Sequence, residues 1–215
     1  MTTPFALQNV SLEATRLCNL RCIMCPTHKA NADPEINRKY PAYFDIGRYR
    51  DIIEQLAELD TPLHIGPQFQ GEPLLSKAIY EMVRIAKSKG FSTGFSTNAV
   101  LLTEWASAEL IEAGLDALCI SVDAVTKETF EKIRVGANYD RVVKNINTFL
   151  SMRGKTPSVC INGVRMPENK AEIDRLVDVW LPKVESVSIS NVWDGEKGVA
   201  MKHYTPERFP CQSLW

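Results

Sequence analysis

Short β-branched runs that alternate with amphipathic helical patterns predict an α/β fold of repeated βα units on a parallel sheet. Six such units can be traced, which points to a partial (β/α)6 barrel, open and TIM-like, rather than a closed eight-stranded one. With 215 residues and near-average apolar and charged content, residues 1–200 suffice for one barrel domain with a sizeable core.

Val10–Arg16 reads as the first strand, and Asp45–Leu59 as its helix, with Ile46, Tyr49, Ile52, Ile53, Leu56 and Leu59 on one face. Leu63–Phe69 and Leu75–Lys89 repeat the unit, and Gly90 stops the helix. Gly94–Ser96 is the core of a third strand, followed by a helix over Thr103–Ala113 with Thr103 as N-cap. Ala117–Val122 is the fourth strand, with helix over Lys127–Ile133 and Tyr139–Met152. Val159–Arg165 precedes a helix from Glu168 to about Leu181, and Val187–Val192 is the sixth strand, after which the alternation ends.

The net charge of −1 carries no basic bias toward nucleic acid, and no apolar run approaches the ~18 residues of a membrane span. The start, Met1 to Ala6, lacks a basic-then-apolar signal, and six cysteines are dilute for a disulfide scaffold. A reducing, cytoplasmic setting is expected. Cys119 and Cys160 fall within strands and read as small buried hydrophobes.

The chemistry-bearing feature is Cys18-Asn19-Leu20-Arg21-Cys22-Ile23-Met24-Cys25, three thiols in a tight loop after the first strand. Cubane clusters normally take four thiolates, so three would leave one iron open to a small molecule. A competing reading adds His28 to make a Cys3His zinc site of a structural module, although structural zinc usually draws its ligands from two separated pairs. With Gln70-Gly71-Glu72-Pro73 downstream, the cysteine motif resembles the radical S-adenosylmethionine (radical SAM) enzymes. The resemblance implies a [4Fe-4S] cluster on Cys18, Cys22 and Cys25, with the open iron chelating the methionine half of SAM.

The other site residues follow from that resemblance and gather where parallel barrels place ligands, at the carboxyl ends of strands. Gln70, Gly71, Glu72 and Pro73 match a Gly-Gly-Glu-Pro turn expected to hold the methionyl ammonium; Gln70 replaces a glycine, which questions backbone freedom there. Read alone, Gly-Glu-Pro is a turn with proline opening a helix. Ser96, Thr97 and Asn98 resemble a Thr-Asn-Gly turn, with Ala99 where glycine is usual; Thr97 and Asn98 are SAM contacts by resemblance, or a helix-entry turn. Ser121 is expected at the ribose or carboxylate, and Asp123 as substrate contact, proton acceptor or helix cap. On the fifth strand Asn162 is a weaker candidate, and Arg165 grips a carboxylate bidentately or forms a salt bridge with a neighbouring acid. Val192 would lie under adenine.

The stretch Thr27 to Tyr43, with Lys29, Arg38, Lys39 and Tyr40, is too long for a simple turn and is expected to fold over the cluster. Residues 201–215, with Arg208-Phe209-Pro210-Cys211-Gln212-Ser213-Leu214-Trp215, look like the start of an auxiliary-cluster (SPASM or twitch) region, truncated or degenerate. The implied activity is reductive cleavage of SAM to a 5′-deoxyadenosyl radical that takes hydrogen from a peptide or small-molecule substrate, the electron coming from a partner such as flavodoxin or ferredoxin. Slow, uncoupled SAM cleavage is expected of the short chain. A barrel that binds SAM without turnover is the third reading.

Overall fold

The structure is a computed structural model describing residues 7–25, 34–192 and 201–204. Six parallel strands lie in sequence order: β1 (Asn9–Ser11), β2 (His64–Gly66), β3 (Ser92–Thr97), β4 (Ala117–Ser121), β5 (Ser158–Arg165) and β6 (Ser186–Asn191). A seventh strand, β7 (Met201–Tyr204), adds antiparallel to β6, where the sequence alternation gave no signal. The helices are α1 (Pro34–Lys39), α2 (Ile46–Ala57), α3 (Ile79–Ser88), α4 (Glu104–Glu112), α5 (Lys127–Ile133), α6 (Tyr139–Met152) and α7 (Arg175–Trp180).

Helix starts follow local chemistry. Asp45 caps α2 through a bond from Arg48 N (2.8 Å), Thr103 caps α4, and Asn138 caps α6. Gly90, after α3, takes φ +81°, the left-handed stop that its sequence position predicts. The expected helix from Glu168 is shorter, beginning at Arg175. Asn169 is the reason: its Oδ1 accepts from Met166 N, and its Nδ2 donates to Val164 O and Asp123 O, so the chain forms a side-chain-held turn first.

The core lies on the helix side of the sheet, where Leu118, Ile120, Val159, Ile161, Val187 and Ile189 pack against α4, α6 and α7. A Cβ on Gly163 would stand 2.8 Å from Leu176 and 3.0 Å from Ile173, so β5 meets the helical layer closely. Alternation then turns Ser96, Cys119, Ser121, Cys160, Asn162, Ser186 and Ser188 to the opposite, inner face. Closed barrels fill that space with branched apolar side chains; here it is small and polar. Cys160 corrects its expectation as a buried hydrophobe, because it is half-buried and its Sγ donates to Asn162 Oδ1 at 3.2 Å. The contact with Cys119 draws its thiol pKa down. No helix among the described residues is long and apolar enough to cross a membrane.

Candidate functional site

The cysteine loop leaves β1 at the carboxyl end of the sheet. Past Ser11 the strand keeps two hydrogen bonds toward the β2 side, Leu12 N to Gly66 O and Ala14 N to Pro67 O. Its other edge is clamped by the loop after α1: Arg16 N donates to Ala42 O, Phe44 N to Ala14 O, and Thr15 Oγ1 to Ala42 O. The stretch 27–43 therefore covers the strand exit with its later part, while residues 26–33, with His28 and Lys29, lie outside the described residues.

The turn after β2 docks on this exit. Glu13 Oε1 accepts from Gln70 N and from Gly71 N (2.8 Å), and Glu72 N donates to Leu17 O (2.7 Å). A Cβ at Gly71 would fall 2.0 Å from Thr15 O and 2.7 Å from Leu17 O, so the approach admits only glycine. Gln70 is not among the positive-φ residues, so its replacement of glycine carries no backbone strain. Among the described residues the one left-handed non-glycine at this mouth is Ala99, φ +58°, where the resemblance expects glycine.

Glu72 is 3% exposed, and its carboxylate is wholly engaged. Oε1 accepts from Thr97 Oγ1 (2.7 Å) and Leu74 N (3.2 Å), and Oε2 from Asn98 N (2.7 Å). Burial pushes its pKa up against these donors. Pro73 opens the one-turn 3-10 segment Pro73–Leu75 that Glu72 caps. Thr97 and Asn98 thus bind Glu72, and Asn98 also reaches the cysteine loop, its Nδ2 donating to Asn19 Oδ1 at 2.8 Å with Cys18 Sγ at 3.9 Å. Strand β3, the Gly-Glu turn and the cysteine loop form one hydrogen-bonded unit.

Cys18 is exposed, Cys25 half-buried and Cys22 buried. Desolvation pushes the thiols of Cys18 and Cys22 up, Cys22 to about 11, and Cys25 adds to both shifts. Among the described residues no three His, Cys, Asp or Glu side chains are placed to hold a metal ion. The loop rests on the end of α5: Arg21 N donates to Val135 O (2.9 Å) and Ile23 N to Ile133 O (3.0 Å).

Two expectations are corrected. Asp123 neither caps a helix nor faces open space: it is fully buried, Oδ2 lies 2.7 Å from Arg134 Nε, and Oδ1 accepts from Val164 N at 2.7 Å. With both oxygens occupied it is not placed to take a proton from a substrate. Arg165 falls on the helix side with Gly163, and its guanidinium pairs bidentately with Asp174, the neighbouring-acid alternative. Ser121 ends β4 on the inner face beside Asn162, and Val192 lies exposed just past β6. Ser96 Oγ and Ser188 Oγ, also on the inner face, are buried with no hydrogen-bond partner among the described residues. Sequence reasoning missed Glu13, Asn19 and Arg134. Each acts through a tertiary contact, and only the polar Glu13 amid a strand-like run hinted at a role.

The profile of the Radical SAM superfamily matches residues 12–179. A tungsten-containing aldehyde ferredoxin oxidoreductase cofactor-modifying protein from Pyrococcus furiosus is 30% identical over 186 residues, 84% of this chain and 50% of that protein. A probable GTP 3′,8-cyclase from Saccharolobus islandicus is 28% identical, over 80% of this chain and 53% of its own length. The chain thus spans about half the length of these curated relatives. Among solved structures, Streptococcus suis SuiB bound to its precursor peptide SuiA superposes with a TM-score of 0.69 at 19% identity, over 87% of this chain and 40% of that one. That likeness shows the fold.

Proposed function

The chain belongs to the radical SAM superfamily, and on that premise we propose that it binds a [4Fe-4S] cluster through Cys18, Cys22 and Cys25 and cleaves SAM reductively. The observation that carries this reading is the joining of the cysteine loop, the Gly71-Glu72 turn and the end of β3 into one hydrogen-bonded unit at the carboxyl edge of the sheet. The donor set fits the group: three thiols from one loop, in a site otherwise supplied with backbone and amide donors.

When bound, the cluster and SAM supply an electron and the 5′-deoxyadenosyl radical that takes hydrogen from a substrate. The chain's own groups bind and orient. Gln70, Gly71, Glu72 and Pro73 shape the turn offered to the methionyl ammonium. Because its oxygens already serve Thr97, Leu74 and Asn98, Glu72 acts as a buried negative charge and a brace. Thr97 and Asn98, whose side chains are taken up by Glu72, Ala99, Asn19 and Val100, brace this turn, Ser121 offers its short polar group to the carboxylate or ribose, and Val192 lies at the adenine end. Asp123 and Arg165 are assigned no ligand contact, because Arg134 and Asp174 hold them.

The inner face supports a polar substrate, a peptide or a small hydroxylated metabolite. Along β3 to β6 its described side chains, Ser96, Cys119, Ser121, Cys160, Asn162, Ser186 and Ser188, are short, and the hydroxyls of Ser96 and Ser188, without a partner among the described residues, can be met by donors or acceptors of a guest. A relative solved with a precursor peptide favours the peptide class. A one-electron donor protein of the flavodoxin or ferredoxin kind completes the reaction.

The test is anaerobic reconstitution with iron and sulfide, then incubation with SAM and dithionite. About four irons per chain and formation of 5′-deoxyadenosine are expected, both lost when Cys18, Cys22 or Cys25 is changed to Ala and retained in His28→Ala. A protein that takes up zinc alone, or loses metal in His28→Ala, overturns the reading.

A further inference from the structure

The Asp123–Arg134 pair is the least exposed ion pair among the described residues, its two side chains 0% and 8% exposed. Arg134 is also the one buried cation there, against the buried carboxylates Glu72, Asp123 and Glu172. Taking such a pair out of water costs more than its attraction returns unless its surroundings compensate, so stability alone is a poor reason for it.

Its position supplies another reason. The cysteine loop is fastened to the residues on either side of Arg134, Ile23 N to Ile133 O and Arg21 N to Val135 O. These two rungs put Cys22 directly opposite Arg134. Asp123 pairs with the guanidinium, its Oδ2 2.7 Å from Arg134 Nε, and its other oxygen is bonded to β5 through Val164 N. The positive guanidinium therefore stands beside the cysteine loop. Arg134 keeps that charge at every accessible pH.

We propose that Arg134 is a positioning residue whose fixed charge, moderated by Asp123, sets the reduction potential of the cluster held by Cys18, Cys22 and Cys25. The proposal rests on the cluster-binding reading above. Cluster potentials respond to nearby net charge and to the groups behind the ligands. One-electron reduction, [4Fe-4S]2+ to [4Fe-4S]+ with the electron taken from dithionite, adds negative charge, and a cation opposite Cys22 stabilises the product. Removing the cation makes reduction harder; removing its counter-charge makes it easier.

The experiment reconstitutes the full chain and its variants R134Q, R134K and D123N, counts iron and acid-labile sulfide, and follows the reduced cluster by electron paramagnetic resonance during a redox titration. At equal iron content, R134Q is expected to shift the midpoint to more negative values, D123N to more positive values, and R134K to leave it close to the parent. Coincident midpoints in all loaded variants overturn the proposal and reduce the pair to a packing role. Should R134Q fail to fold or load, D123N against R134K decides, and an unmoved D123N midpoint again overturns it. A parent chain without iron-sulfur absorption overturns the cluster reading itself, together with this proposal.

Discussion

Changes of a single side chain test how the mouth of the sheet is built. His64 sits on the inner face, its Nδ1 3.1 Å from Ser92 Oγ, and burial draws its pKa below the ordinary 6.5. The unfolded chain therefore binds the proton more readily than the folded one. The stabilising contribution is full above pH ~6.5 and is lost as the pH falls below that value through the folded-state pKa. Urea midpoints measured from pH 7.5 to 5.5 are expected to fall, and to fall less in His64→Gln; equal slopes in the two proteins would remove His64 as a contributor. At this scale the sequence was most legible where spacing is itself the chemistry, as in the Cys18–Cys25 run. It was least legible at Asp123 and Arg165, whose partners Arg134 and Asp174 are eleven and nine residues away along the chain. A strand-end carboxylate reads the same in sequence whether it faces a ligand or a buried guanidinium.

At the scale of elements, the docking of the Gly71 turn on the strand exit is the most sensitive junction. Gly71→Ala places a methyl against Thr15 O and Leu17 O, two backbone oxygens that move only with the cysteine loop. It is expected to cost about 3 kcal/mol or more by urea unfolding, and to lower iron uptake. Gln70→Gly, one residue earlier, should change stability by less than about 1 kcal/mol. Equal effects at the two positions would show that the turn tolerates side chains there. Helices α5 and α6 appear at their expected bounds because each has a strong apolar period and polar residues before it. Strand β1 is shorter than its β-branched run, since Leu12 to Arg16 leave the regular ladder to meet the turn after β2 and the loop before α2. Such a departure is set by partners distant in sequence, which no local pattern records.

Over the whole molecule the sheet is unevenly fastened. β4 and β5 share five registered pairs and β5 and β6 six, whereas β1 and β2 share three and β2 and β3 two. Stability is not uniform across such a structure. Hydrogen exchange read by mass spectrometry should find the amides of β4 and β5 slowest and those of β1 and β2 faster, with reconstitution slowing β1 and β2 most. Uniform protection before and after loading would contradict this. The order of strands was readable from the six alternating units, since each crossover is long enough for a parallel neighbour. The weak seam was not, because register depends on how the turns at strand ends are tied.

The division between the two faces of the sheet has a consequence for how this molecule can change. Leu118, Ile120, Ile161 and Val187 drive the chain to fold on one side, while Ser96, Ser121, Asn162 and Ser188 occupy the other and bury little apolar surface. Recognition and cohesion are therefore written on separate residues of the same strands, in alternate positions. A lineage can exchange serine for threonine, alanine or asparagine along the inner face and so admit a different guest, while the layer that holds the sheet together is left untouched.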